Sequence, residues 1–122
     1  MHLSPQSAAM TTLLETMPGA VGGALPSAPG VVIYKVMDKM FAILSTRRTE
    51  NVILKCDPHL AEVLRAQYAG IGHRSHLDRR FWISVDLDAD VPSTEIERLV
   101  GQSYDLVCAK LTRRQKAELA AI

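Results

Sequence analysis

Cysteine is scarce in this sequence, which contains only Cys56 and Cys108 among its 122 residues. The two residues are far apart, and no Cys-x-x-Cys spacing occurs. The sequence therefore predicts neither a disulfide framework nor a zinc-binding cysteine cluster, and a reducing compartment fits best.

Long apolar stretches are also lacking, because no run approaches the roughly 20 apolar residues that a membrane helix needs. The first residues, MHLSPQ, have neither the basic start nor the continuous apolar core of a secretory signal. These absences predict a cytoplasmic protein without a membrane partner.

Neither charge sign is in excess: 14 Lys and Arg stand against 13 Asp and Glu, a net charge of +1. Composition alone therefore gives no global attraction to nucleic acid. The distribution is uneven, however, with nine basic against five acidic residues in 35–80 and two against six in 81–112. Such clusters are most often solvated surface, yet a basic middle is also where a nucleic-acid contact is expected.

The 48% apolar content of the chain suits one domain with its own core. Ser4 and Pro5 predict the start of a first helix that runs to about Thr16. The glycine- and proline-rich segment 19–30 disfavours helix and sheet and predicts a flexible connection. It has no Gly-Lys-Ser/Thr ending, so it is not interpreted as a phosphate loop, and its role is unassigned.

A meander of three strands is predicted next, over 31–36, 40–44 and 51–55. Asp57 and Pro58 then begin a helix that Gly70 and Gly72 end. A second hairpin is predicted from 73–77 and 81–87, joined by the charged turn 78–80. One face of its second strand is apolar and is expected in the core: Phe81, Ile83, Val85 and Leu87.

Two helices follow in this interpretation, each with capping-box spacing at its start: Thr94 to Glu97, and Thr112 to Gln115. The first should pack Ile96, Leu99, Val100 and Val107 against the sheet. The predicted fold class is α+β, in the order α-β-β-β-α-β-β-α-α. Helices on one face of a five-stranded antiparallel sheet make a two-layer sandwich.

Several segments in the same order resemble the MmcQ/YjbR family over about residues 4–119. They are Met17-Pro18-Gly19-Ala20, Tyr34-Lys35-Val36 with Lys39-Met40-Phe41-Ala42, Leu54-Lys55-Cys56, His76-Leu77-Asp78-Arg79-Arg80-Phe81-Trp82, and Val91-Pro92 with Leu99-Val100 and Ser103-Tyr104. The resemblance implies a single domain similar to the secretion-chaperone and CyaY (frataxin-like) arrangements. It also implies a double-wing DNA-binding module in which two hairpins act as wings beside a helix.

The chain departs from the family pattern in the second hairpin turn. Relatives often carry Asn-Lys in this turn and a His just before the Trp. Here Asp78, Arg79 and Phe81 stand in those places. Arg79 keeps the positive charge and adds a bidentate fork, while Asp78 places a negative charge beside it.

The residues expected to contact DNA phosphates are basic side chains in or near the two predicted hairpin turns. They are Arg47, Arg48, Lys55, Arg74, His76, Arg79 and Arg80. The alternative is a set of solvated turn tips. Trp82 lies on the polar face of its strand, where it either stacks on a base or covers the sheet.

No catalytic site, metal site or cofactor is predicted. His73 and His76 have His-x-x-His spacing but no third ligand nearby. The string Asp86, Asp88 and Asp90 has the alternate spacing of a metal-binding edge, although a solubilising role is simpler. Cys56 at a helix start has either a lowered thiol pKa or, as we expect, a buried structural role.

Two functions remain open from the sequence. One is a non-enzymatic protein that binds double-stranded DNA through its basic turns. The other is a protein-interaction or chaperone-like adaptor, since fold alone does not decide function. In either case the chain is expected as a monomer or weak dimer.

Overall fold

The computed structural model describes residues 3–74 and 76–122, and in this part of the chain it contains four helices and six strands. The elements in order are α1 (Pro5–Thr16), β1 (Ala20–Ala24), β2 (Val31–Val36), β3 (Lys39–Ser45), β4 (Asn51–Lys55), α2 (Pro58–Gln67), β5 (Ile71–Gly72), β6 (Trp82–Asp86), α3 (Ser93–Ala109) and α4 (Arg113–Ala120). The class is α+β, as predicted, with one more strand than the sequence indicated.

All six strands form one antiparallel sheet in the order β1-β2-β3-β4-β6-β5. Strands β2, β3 and β4 are the predicted meander. Met37 and Asp38 both have positive φ, 48° and 66°, and make the tight turn between β2 and β3. Strand β6 lies between β4 and β5, so that β4 and β5 run parallel without touching.

The additional strand, β1, corrects the prediction of a flexible connection over 19–30. Ala20–Ala24 pairs with β2 along its whole length. Gly22 is opposite Tyr34, and a Cβ on Gly22 would meet the Tyr34 ring at 2.8 Å. The glycine therefore lets the strand lie against the tyrosine, and this packing outweighs its low strand propensity.

The predicted second hairpin is also corrected. Strand β5 ends at Gly72, so that His73, Arg74, His76 and Leu77 lie outside strands. The Arg65 guanidinium donates to the carbonyls of Gly72, Arg79 and Trp82, at 3.2, 2.8 and 2.8 Å. These bonds, from a helix side chain to Gly72, Arg79 and Trp82, take the place of a tight three-residue turn.

The core lies between the sheet and the helices. Ile83, Val85 and Leu87 point into it as predicted, and so do the four apolar residues expected on α3. Phe81 does not: it precedes β6 and is 37% exposed. Buried Ser103 ties α3 to the sheet, since its hydroxyl donates to the Phe41 carbonyl at 2.6 Å and accepts from the Lys55 N–H at 2.8 Å.

Most of the predicted helix starts are confirmed. The hydroxyl of Ser4 caps α1, the carboxylate of Asp57 caps α2, and Thr112 and Gln115 form a complete capping box at α4. The box expected at Thr94 is wrong, because α3 begins at Ser93 after Pro92 and has no side-chain cap. No helix in residues 3–74 and 76–122 is long and apolar enough to cross a membrane.

Candidate nucleic-acid interface

The sheet face turned away from the helices, called the outward face below, presents the alternate side chains of each strand. Its central row is Ile33, Ile43 and Ile53, which are directly opposite one another on β2, β3 and β4. None of the three belongs to the core cluster that the helices cover. Ile33 and Ile43 are half-buried and Ile53 is fully buried, so that neighbouring side chains cover part of this row.

Three arginines meet at one end of the outward face. Arg47 and Arg48 lie in the loop between β3 and β4, and Arg74 follows β5. They line an open hollow of about 390 Å³, called the arginine hollow below, together with Ser45, Thr49 and Asn51. Arg74 reaches these residues although β4 and β6 separate β5 from β3. The fold therefore gathers cations that are distant in sequence.

Asn51 shows that the hollow has unused hydrogen-bonding capacity. Its amide nitrogen donates to the Thr49 carbonyl at 2.8 Å, which sets the orientation of the amide. Its Oδ1 is buried and accepts no hydrogen bond from the described residues. This unused group is an acceptor and does not bind a phosphate, so that any anion in the hollow would be held by the guanidinium groups, through charge-assisted hydrogen bonds.

Lys55 and Trp82 are cross-strand neighbours at the other end of the outward face. Both are half-exposed. Trp82 therefore has a surface available for stacking, as the sequence allowed, and a cation lies beside it. Asp86 lies at the end of β6 that is next to the hollow. The distance along β6 from Trp82 to Asp86 is about 13 Å, the length of four residues of extended strand.

The turn at 78–80 places its two arginines differently. Arg80 is held by Asp78, with Nη2 2.8 Å and Nε 3.1 Å from the carboxylate oxygens, and its guanidinium lies 5.2 Å from the Phe81 ring centroid. Its charge is therefore neutralised within the turn. Arg79 is exposed and lines a separate hollow of about 320 Å³ with Pro58, Glu62, Arg65 and Arg80.

The two predicted wing tips thus lie at opposite ends of the sheet. The loop with Arg47 and Arg48 is next to Asn51 and Asp86, whereas the loop with Arg79 enters β6 at Trp82. His76 is exposed in that second loop, away from strands. Of the seven predicted phosphate contacts, the fold brings Arg47, Arg48 and Arg74 into one cluster.

Arg65 positions part of the candidate interface, and the sequence did not single it out. Burial, and secondly the charge of Arg79, lowers the pKa of its guanidinium. Its three hydrogen bonds to backbone carbonyls fix the position of Arg79, in the loop, and of Trp82, at the start of β6. The signal that could have found it is a basic residue near the end of a predicted amphipathic helix, which is weak on its own.

The acidic string does not form a strand edge, since β6 ends at Asp86. The Asp90 carboxylate accepts the N–H groups of Gly70 and Ala69, at 2.7 and 2.8 Å, which lowers its pKa. No group of three His, Cys, Asp or Glu in residues 3–74 and 76–122 is arranged to hold a metal ion. Cys56 is buried, and burial followed by the Asp57 charge raises the pKa of its thiol to about 11, contrary to a reactive thiolate.

Comparison with known proteins gives consistent matches. A family model described as YjbR matches residues 15–106. The Escherichia coli K12 protein named uncharacterized protein YjbR is 40% identical over 73 residues, which cover 57% of this chain and 60% of that protein, less than two thirds of its length. Uncharacterized protein YbdF of Escherichia coli O157:H7 is 27% identical over 92 residues, 75% of each chain.

Solved structures share the fold. The crystal structure of a Deinococcus radiodurans protein with a DUF419 domain matches with a TM-score of 0.82 and 28% identity, covering 93% of this chain and 86% of that one. A crystal structure from Pseudomonas syringae matches with a TM-score of 0.70 and 21% identity, covering 86% and 99%. The latter likeness concerns the fold alone.

Proposed function

This chain belongs to the YjbR family, and we propose that it binds duplex DNA, without catalysing a reaction, through the outward face of its sheet. The observation that carries the proposal is the arginine hollow, where Arg47, Arg48 and Arg74 converge. Phosphates dominate the affinity of proteins for DNA, and clustered guanidinium groups are the donors best suited to them.

The charges around the hollow support the same proposal. Within strands β1 to β6, the outward face carries the cations Lys35 and Lys55 and the single acid Asp86. Cations therefore lie at both ends of β4, with the arginine hollow at one end and Lys55 at the other. Arg79 lies beside α2, in the hollow that Pro58, Glu62 and Arg65 also line. Arg80 contributes little, because Asp78 already neutralises it.

Contacts of this kind position a protein on DNA without reading its sequence. We therefore expect weak binding with little sequence preference, in the range of about 10⁻⁴ to 10⁻⁶ M at physiological salt. The proposal includes a cytoplasmic location, where the free thiols of Cys56 and Cys108 would stay reduced.

The experiment measures duplex binding by fluorescence anisotropy at several salt concentrations. The triple variant Arg47→Ala, Arg48→Ala, Arg74→Ala should weaken binding to every sequence and flatten the salt slope by roughly 0.9 for each phosphate that the variant no longer neutralises. The matched control Arg113→Ala, Arg114→Ala, Lys116→Ala removes three positive charges from exposed positions of α4. It should leave affinity and slope close to those of the parent.

Single variants refine the assignment. Arg79→Ala should cost more affinity than Arg80→Ala, because Arg80 is engaged with Asp78. Equal losses in the triple variant and its α4 control would mean that only net charge matters and would contradict an outward-face site. No binding by the parent protein, even at low salt, would contradict DNA binding altogether.

A protein-interaction or chaperone-like adaptor is the second candidate. It is favoured by the net charge of +1 and by the exposed apolar side chains of Val21 and Phe81, which are 68% and 37% exposed. The sequence resemblance to the secretion-chaperone arrangement points the same way. Absence of DNA binding together with a salt-insensitive protein partner would favour it.

A further inference from the structure

Strand β1 is an edge strand, and no strand among residues 3–74 and 76–122 pairs with its outer side. Its sequence, AVGGA, contains no charged residue and no proline. Natural edge strands are usually protected from pairing by charges, proline, bulges or short length. The opposite edge, β5, is only two residues long. Strand β1 has five residues and lacks these side-chain protections.

The backbone groups that face this open edge follow from the pairing with β2. Leu25 N–H donates to the Val31 carbonyl at 3.3 Å, so odd-numbered residues of β1 bond to β2. Gly22 and Ala24 therefore direct their N–H and carbonyl groups away from the sheet. The Ala20 N–H donates to Met17 at 3.0 Å, while the Ala20 carbonyl faces the edge.

Neither the backbone conformation nor the packing of residue 23 requires a glycine there. Its φ lies outside the left-handed region, and a Cβ there would meet no atom within 4 Å. Next to it, Val21 is 68% exposed. Both line an open groove of about 490 Å³ with Ile33, Lys35, Asp38 and Ile122 among its other residues. A glycine in a strand often marks close approach by another backbone.

We propose that β1 pairs antiparallel with β1 of a second copy of this chain, with Gly22 of each copy directly opposite the other. In this register Val21 of each copy is opposite Gly23 of the other, so that the exposed valine occupies the open space above the glycine. Gly22 pairs with Gly22 through two hydrogen bonds, and each Ala24 N–H donates to an Ala20 carbonyl.

The charges near β1 are compatible with a second copy of the chain as the partner. The paired segments carry no charge, and the nearby groove contains one cation, Lys35, and one anion, Asp38, so that two copies meet without net repulsion. Pairing one short strand buries less than the roughly 1,200 Å² of a standard stable interface. The dimer is therefore weak, with a dissociation constant above about 1 μM. This inference is independent of DNA binding.

Sedimentation velocity over a concentration series tests it. The parent should dimerise as concentration rises, whereas Val21→Lys and Ala24→Pro should stay monomeric and still unfold cooperatively, with at most a small loss of stability from the lysine that Val21→Lys places opposite Lys35. Lysine places like charges on the edge, and proline removes an outward donor without touching the ladder to β2. Val63→Lys, at a 46% exposed position of α2, is the matched control and should dimerise like the parent. A parent that is monomeric throughout, or a Val21→Lys variant that dimerises normally, would overturn the proposal.

Cysteine cross-linking tests the register in a Cys108→Ser background. Directly opposite residues in a non-hydrogen-bonded pair have Cα atoms about 4.5 Å apart, within disulfide range. Mixing Val21→Cys protein with Gly23→Cys protein should give a disulfide-linked dimer, and neither variant alone should cross-link efficiently. Cross-linking of Gly23→Cys alone, or none in the mixture, would overturn the Gly22-centred register.

Discussion

Asp86 lies on the outward face opposite Asn51, one of the residues that line the arginine hollow. Burial, and secondly the negative charge of Asp90, raises the pKa of its carboxyl group. The folded protein therefore holds this proton more tightly than the unfolded chain does. Stability from this group is greatest below the ordinary pKa and is lost as pH rises through the raised value.

Replacing Asp86 with Asn should therefore raise the melting temperature at pH 7, because it removes a partly buried charge. The gain should shrink as pH falls through the raised pKa, and it should be gone below the ordinary pKa of about 3.9, where the carboxyl group is protonated in both states. Asp88→Asn, at an exposed position, is the control and should show a smaller gain. A melting temperature that falls in Asp86→Asn at pH 7 would show that the carboxylate makes a stabilising contact.

At the scale of elements, one side chain of α2 organises the loop between β5 and β6. The Arg65 guanidinium reaches the carbonyls of Gly72, Arg79 and Trp82 at once. The predicted three-residue turn is wrong for this reason, since one carbonyl within the loop and the two strand carbonyls at its ends all bond to a helix side chain. The geometry of Arg79 and Trp82 thus depends on a residue outside the predicted interface.

Arg65→Lys should destabilise the protein by about 1–3 kcal/mol, because one ammonium group cannot replace a planar fork that serves three carbonyls. Urea unfolding measures the loss, and hydrogen exchange over 76–81 should speed up. Arg98→Lys is the control: the Arg98 side chain is exposed and pairs with Glu95 of the same helix, so a change of about 0.5 kcal/mol or less is expected. Equal effects of the two variants would argue against a special role for Arg65.

At the scale of the whole molecule, the helices and the proposed DNA surface are on opposite sides of the sheet. The arginine hollow is at one end of the outward face and Trp82 at the other. A duplex that spans the face would approach both. Trp82 is the single tryptophan of the chain, so that tryptophan fluorescence reports on this end of the outward face alone.

Titration with duplex DNA should therefore change the emission of Trp82, through stacking or through a changed local environment. The triple arginine variant retains this tryptophan and should show no change at the same DNA concentrations. Binding detected by anisotropy with constant Trp82 emission would confine the contact to the hollow, and the face-spanning arrangement would be wrong.

Local signals were sufficient for much of this protein. Side-chain caps at Ser4, Asp57 and Thr112 and the alternation of Ile83 and Val85 depend on neighbouring residues, so that sequence alone predicted these helix starts and this strand face. The sequence also showed the adjacent arginine pairs at 47–48 and 79–80, but it did not predict where the two pairs lie relative to each other.

Tertiary contacts decided the rest. Strand β1 exists because Gly22 accommodates Tyr34 and β2 supplies the hydrogen bonds, neither of which local propensity contains. Arg74 joins Arg47 and Arg48 only because the fold places the residue after β5 next to the loop between β3 and β4. The free energy that sets these positions comes from pairing between residues far apart in sequence, which short-range patterns do not encode.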